Sequence, residues 1–246
     1  MDDASLTQAP SFILNFYVLQ SRPMDLLIFD FDGLILDTET VSYQAWNEIY
    51  RSHGASLPLD KWALCIGTHQ DGFNVYEYLK HQSGKDLDHN DLRETHHARV
   101  MELLGPMEPR PGVISYLEEA RRLKIALALA SSSPQDWVVG HLSRLGLAEL
   151  FHSIRCADDV ENVKPDPELY HLTLTFTGVR PERALAFEDS PNGIQAAKNA
   201  GVFCVAVPNS VTRQLPIGHA DYRLDSMADL SLRELLHKIE TTRAKA

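Results

Sequence analysis

Cysteine is scarce in this sequence of 246 residues: Cys65, Cys156 and Cys204 are odd in number and have no C-x-x-C spacing. They suggest neither a disulfide framework nor a zinc site, and they fit a reducing cytoplasm. Basic charge is scarce too. Lys and Arg number 23 against 34 Asp and Glu, a formal net charge of −11, and no Lys/Arg run occurs. A protein that grips nucleic acid or anionic lipid through its surface field is thereby argued out, and a small-molecule partner is expected. No apolar run is long enough to span a bilayer. The apolar patch at residues 12–19 is short, follows Asp2 and Asp3 where a signal peptide would carry Lys or Arg, and has no small-residue cleavage site after it. Residues 1–23 read as an extension outside the fold, with Met24 as a candidate start; a short interfacial helix is the competing reading. The sequence has no repeat of fixed period and no low-complexity tract.

What is present is a globular composition, 44% hydrophobic and 23% charged, with enough length for one sizeable core and a second small domain. From Asp25 onward one theme recurs: a short apolar run, a polar loop, a helix-start signal and a periodic helix. The runs are 26–29, 125–130, 184–187 and 202–207, with a weaker one around Ile154. None alternates with polar residues, which predicts strands covered on both faces in an α/β fold with a parallel sheet. Ser133-Pro134, Asp166-Pro167 and Ser190-Pro191 read as cap-proline pairs that start helices, and Gly146 and Gly201 as helix stops. Between residues 38 and 108 the strand signal vanishes. That stretch predicts helices over 39–53, 58–65, 71–81 and 88–104, returned by Pro109-Arg110-Pro111. It reads as an inserted helical cap over residues 38–108, with the α/β core made of 24–37 and 109–246.

In open parallel sheets ligands bind beyond the carboxyl ends of the strands, so the first polar residues after each run are the candidate site. These are Asp30 and Asp32, Ser131 and Ser132, Lys164 after the weak strand, and Glu188 with Asp189. Two carboxylates two residues apart point the same way in extended chain. One can attack phosphorus while the other moves a proton. Ser131 and Ser132 precede a helix whose free N–H groups favour an anion. Lys164, in the stiff Val163-Lys164-Pro165-Asp166-Pro167 loop, can offset the repulsion between a nucleophile and a phosphate. So many carboxylates beside a phosphate call for a hard cation, Mg²⁺. Each residue alone has a plainer reading: a loop acid, a helix cap, a surface lysine, a salt bridge.

Taken together, Asp30-Phe31-Asp32-Gly33, Ser131, Lys164 and Glu188-Asp189-Ser190-Pro191-Asn192-Gly193 resemble the four motifs of the haloacid dehalogenase superfamily, in order, over nearly the whole chain from Asp25. The helical insert resembles the cap of the subfamily that includes β-phosphoglucomutase and many small-metabolite phosphatases. The resemblance implies a Rossmann-like core and hydrolysis of a small phosphorylated metabolite. It implies Asp30 as nucleophile and metal ligand, and Asp32 as general acid/base lending its backbone carbonyl to the metal. It further implies Asp189 and Glu188 as further metal ligands, with Ser131, Ser132 and Lys164 holding the phosphate. Two departures bear on a mutase reading. Ser42 stands where that mutase has a cap histidine, and Gln70 where it has the arginine that holds a second phosphate. Arg93 and Arg99 are candidate substitutes for that arginine. A signalling receiver domain shares an Asp, a Ser/Thr, a Lys and Mg²⁺, but needs neither the second Asp nor a cap.

Overall fold

Leu26–Phe29 forms β1 with every residue buried. A strand loses both faces to the core only when helices cover both, as in parallel sheets. In the computed structural model, which describes residues 24–63, 66 and 73–243, β1 pairs in parallel with β2 (Ala126–Ala130) and with β4 (Ala184–Glu188). With β3 (Ser153–Arg155), β5 (Phe203–Ala206) and β6 (Tyr222–Arg223), the described residues build a six-stranded sheet of order β3-β2-β1-β4-β5-β6. The order reverses between β1 and β4, so a crevice opens there at the carboxyl ends of the strands. The readings of residues 1–23, Cys65 and Gln70 lie outside the described residues.

Side chains alternate across the sheet with period two. Leu27, Phe29, Leu127, Leu129, Leu185, Phe187 and Val205 enter one core cluster, with Tyr116 and Leu117 of α5 (Val113–Leu123), Val138 of α6 (Gln135–Arg144) and Leu235 of α9 (Leu232–Arg243). The opposite face sets Leu26 and Ile28 of β1 among small residues, Ala128, Ala130, Ala184, Ala186 and Ala206. Small side chains let α7 (Glu168–Thr177) and α8 (Pro191–Asn199) pack close through Leu169, Tyr170, Ile194 and Ala197. Register then sets the site. Phe29 lies level with Leu129 and with Phe187, so Asp30, Ala130 and Glu188 emerge at one height.

The insert after β1 is helical: α1 (Thr38–Ser52), α2 (Leu59–Trp62), α3 (Val75–Ser83) and α4 (His89–Leu104). It has an apolar cluster of its own, with Trp46, Tyr50, Trp62, Leu79 and Leu92 joined by Val211 from the loop after β5. Val41, Ala45, Val100 and Leu104 instead belong to the main core, so α1 and α4 root the cap in the sheet domain. Three sequence expectations need correction. Pro167, not Asp166, is the N-cap residue of α7, although Asp166 Oδ1 accepts from Glu168 N–H at 3.0 Å. The third cap helix starts at Val75, because Asn74 accepts from the N–H groups of Tyr76 and Glu77; the expected start at Asp71 lies outside the described residues. Ser133 does not cap α6: Pro134 is its N-cap residue, and the Gln135 N–H goes to Asp158 Oδ2 at 2.6 Å. Ser190 does cap α8, accepting from Gly193 N–H, and Gly146 and Gly201 follow their helices with positive φ. Among the described residues no helix is long and apolar enough to cross a membrane.

Candidate active site

The chain leaves β1 as Asp30-Phe31-Asp32-Gly33 and turns at once, because the N–H groups of Leu34, Ile35 and Leu36 all reach Phe31 O. The two carboxylates stay close enough for Asp32 to raise the pKa of Asp30, but they meet different partners: Asp30 is buried against Lys164, while Asp32 meets groups just before and within α6.

Lys164 is itself buried, and its Nζ reaches Asp30 Oδ1 at 2.5 Å, Glu188 Oε1 at 2.7 Å and Ala130 O at 2.7 Å. Burial works against its charge, but Asp30 and Glu188 outweigh that and hold its pKa above the ordinary lysine value. The Tyr170 hydroxyl, kept protonated by burial and by Glu188, also donates to Glu188 Oε1. Glu188 Oε2 is buried with no hydrogen-bond partner among the described residues.

Asp189 is buried beside these groups and accepts from Asn209 Nδ2 at 2.7 Å. Asn209 is fixed in turn, its Oδ1 accepting from Val211 and Thr212 N–H. Gly33, at φ +77, is the residue that fits here, since a Cβ would collide with Asp189 Oδ2 and Asn209 Nδ2. Arg110, from the linker that closes the cap, donates to Gly33 O, Val207 O and Pro208 O, tying the loops after β1 and β5 together.

One carboxylate oxygen each from Asp30, Glu188 and Asp189 lies within 4.8 Å of the others. Burial raises Asp30 to about 8, Lys164 opposing and Glu188 and Asp32 adding to the rise. Asp189 is driven well above the carboxylate range by burial, then by Asp30, Glu39 and Glu188. Three crowded hard oxygens, one carboxylate oxygen without a partner and strongly raised acids fit a small divalent cation of the Mg²⁺ kind.

Ser131 is buried and Ser132 half-buried at the end of β2. The Ser131 hydroxyl accepts from Ser133 N–H at 3.0 Å. Ser133 Oγ donates to Asp32 Oδ2 at 2.6 Å and Trp137 Nε1 to Asp32 Oδ1 at 2.9 Å. Asp32, Ser133 and Trp137 wall one side of a cavity of about 340 Å³ whose cap side includes Ser42, Trp62 and His96. Glu39 also lines it, its pKa raised to about 8 by burial and then by Asp32, Asp30 and Asp37. His96 stacks on Trp46 and approaches Ser42 Oγ at 3.2 Å; burial lowers its pKa to about 4. Arg99 is no substitute phosphate grip. Glu48 at 2.6 Å and Glu102 at 2.7 Å hold it, and neither it nor Arg93 lines the cavity.

Sequence reasoning thus named Asp30, Asp32, Ser131, Ser132, Lys164, Glu188 and Asp189. It missed Tyr170, Asn209, Arg110, Trp137 and Glu39 and misread Ser133. Asn209 follows β5, so the strand-end rule that found the others applied to it as well.

The chain matches the model of the haloacid dehalogenase-like hydrolase family over residues 27–207. It is 49% identical over 215 residues to YhcW of Bacillus subtilis (strain 168), whose name describes it as a phosphatase, covering 87% of this chain and 97% of that one. It is 34% identical over 180 residues to the phosphorylated carbohydrates phosphatase of Thermotoga maritima, covering 73% and 82%. The crystal structure of CbbY from Rhodobacter sphaeroides in complex with phosphate superimposes with a TM-score of 0.67 at 33% identity, over 84% of this chain and 96% of that one. An α/β core with a helical cap, an acidic cluster at the mouth of the sheet and these relatives together place the chain among the haloacid dehalogenase-like hydrolases, as a phosphoric monoester hydrolase.

Proposed function

We propose that the chain hydrolyses a small phosphorylated metabolite, a carbohydrate phosphate in the first instance, with Mg²⁺ as cofactor and Asp30 as nucleophile. The observation that carries this reading is the division of labour between the two aspartates. Asp30 Oδ1 is held by Lys164 beside the acidic cluster, whereas Asp32 faces the cavity on separate partners. A nucleophile and a proton carrier need such separate settings. Asp30, Glu188, Asp189 and the backbone carbonyl of Asp32 would hold the Mg²⁺, which supplies the positive charge that lets a phosphate dianion approach carboxylates. Ser131, Ser132 and Lys164 bind the phosphoryl oxygens. An Asp30 carboxylate oxygen attacks phosphorus, the bond from phosphorus to the leaving oxygen breaks, and Asp32 donates a proton to that oxygen. Asp32 then takes a proton from water, whose oxygen attacks the aspartyl-phosphate and releases inorganic phosphate and free Asp30.

The cap, taken as residues 38–108, offers a leaving group Ser42, His96 and Trp62. No Lys or Arg lines the cavity among the described residues, which favours a monophosphate over the bisphosphate that a mutase must hold. The name of the Thermotoga maritima relative supports the carbohydrate class. The charge balance and cysteine content support a cytoplasmic enzyme with no nucleic-acid or membrane partner. The test is a panel of phosphorylated metabolites with Mg²⁺, reading phosphate release. For any hexose 1-phosphate accepted, the ratio of released phosphate to isomerised sugar phosphate is expected to be far above one without added bisphosphate. A ratio far below one that depends on bisphosphate would make the chain a mutase.

A further inference from the structure

Resting on the phosphatase reading, we infer that Trp137 and Ser133 are positioning residues that hold the proton-transfer carboxylate of Asp32 at the cavity wall. Both oxygens of Asp32 are engaged, and by different kinds of group: Oδ1 accepts from the Trp137 indole at 2.9 Å and Oδ2 from the Ser133 hydroxyl at 2.6 Å. The two donors come from the start of one helix, more than a hundred residues away in sequence, and all three residues line the cavity that receives the leaving group.

The donors are themselves held. Ser133 N–H goes to Ser131 Oγ at 3.0 Å, and Ser133 O accepts from Ala157 N–H at 3.0 Å. Trp137 packs edge-on against the buried His141 ring, centroids 4.4 Å apart, and His141 stacks over Phe31 at 6.1 Å. Phe31 is the residue between the two aspartates, so the chain of contacts closes on the loop it positions. An indole N–H can only donate, whereas a hydroxyl can donate or accept. Trp137 therefore keeps Oδ1 an acceptor throughout, and the Ser133 hydroxyl can turn from donor to acceptor when Oδ2 carries the proton. The arrangement fixes the carboxylate in orientation without forbidding either protonation state, which is what a group that alternates between acid and base requires.

Such a role shows itself in the leaving group. 4-Nitrophenyl phosphate needs little protonation on departure, while phenyl phosphate, of similar shape, needs more. With Mg²⁺ present, Trp137→Phe and Ser133→Ala are each expected to lower kcat for phenyl phosphate by about ten-fold more than for 4-nitrophenyl phosphate, a fraction of the ~10²–10⁴ that proton transfer contributes. KM should change little, and Ser133→Thr, which keeps the hydroxyl, should restore the ratio. In an Asp32→Asn background Trp137→Phe should cost nothing further. Equal slowing of both substrates, a change confined to KM, or an undiminished loss in the Asp32→Asn background would overturn the assignment. If Trp137→Phe proves misfolded by its thermal melt, the Ser133→Ala and Ser133→Thr pair decides alone. A parent chain inert toward both aryl phosphates and the metabolite panel would instead overturn the phosphatase reading, and this inference with it.

Discussion

Lys164 shows how one residue serves two demands: it neutralises Asp30 and Glu188, and it leaves Glu188 Oε2 without a partner. Glu188 stays in place because Tyr170 shares the load on Oε1. Groups that orient metal ligands typically contribute ~10–100-fold in affinity or activity. Tyr170→Phe is therefore expected to raise the Mg²⁺ concentration for half-maximal turnover by about that range; titration of activity against Mg²⁺ reads it, and an unchanged midpoint would contradict it. Asp32→Asn keeps size and backbone carbonyl but cannot carry the proton. It should slow hydrolysis of a poor leaving group by ~10²–10⁴ while leaving phosphate binding intact; parent-like turnover across pH would remove Asp32 from the acid/base role. Six candidate residues were legible because strand ends are legible: an apolar run stops and the next polar residues stand at the crevice. Lys164 lies well past the end of β3 and was legible from its proline-flanked loop. Tyr170, Trp137 and Arg110 were not, because their partners, Glu188, Asp32 and Gly33, lie 18, 105 and 77 residues away, and no local spacing encodes that.

At the scale of elements, β1 and β4 were readable because both faces are buried, which leaves unbroken apolar runs at 26–29 and 184–187. The two-residue β6 at the sheet edge carries no such pattern. Helix caps were readable where the side chain has nothing better to do, as at Ser190. At Ser133 the helix begins one residue later, and a remote acceptor, Asp158, takes the Gln135 N–H that a cap would have taken. The first turn of α8 yields a prediction of reversed sign. Gly is normally ~1 kcal/mol worse than Ala within a helix, so Gly140→Ala in α6, with open space around a built Cβ, should stabilise by up to about that amount. Gly193→Ala in α8 should not, because its methyl group would collide with the Glu188 carboxylate. Thermal melts and Mg²⁺ titrations of the two variants test this. Stabilisation of both, with unchanged Mg²⁺ dependence, would mean that α8 does not press on the acidic cluster.

For the molecule as a whole, the acids gathered at the mouth of the sheet oppose folding unless a cation joins them. Asp30 and Glu39 rise from 3.8 and 4.5 to about 8 in the folded chain, burial being the largest cause for both. Between those values the folded state binds more protons than the unfolded one, so stability falls as pH rises through that window. With chelator present the melting temperature is expected to be lower at about pH 8 than at about pH 6, and Mg²⁺ should raise it more at the higher pH, where fewer protons must be displaced. A Mg²⁺ shift equal at both pH values would contradict this. The same cluster surrounds Asp30, the proposed carrier of the phosphoryl group during turnover. The most direct measurement is rapid acid quench of the chain turning over a phosphorus-labelled substrate with Mg²⁺, followed by peptide mapping. Label is expected on the peptide that contains Asp30, and none in Asp30→Asn. Label on another residue, or turnover by Asp30→Asn at the parent rate, would contradict it.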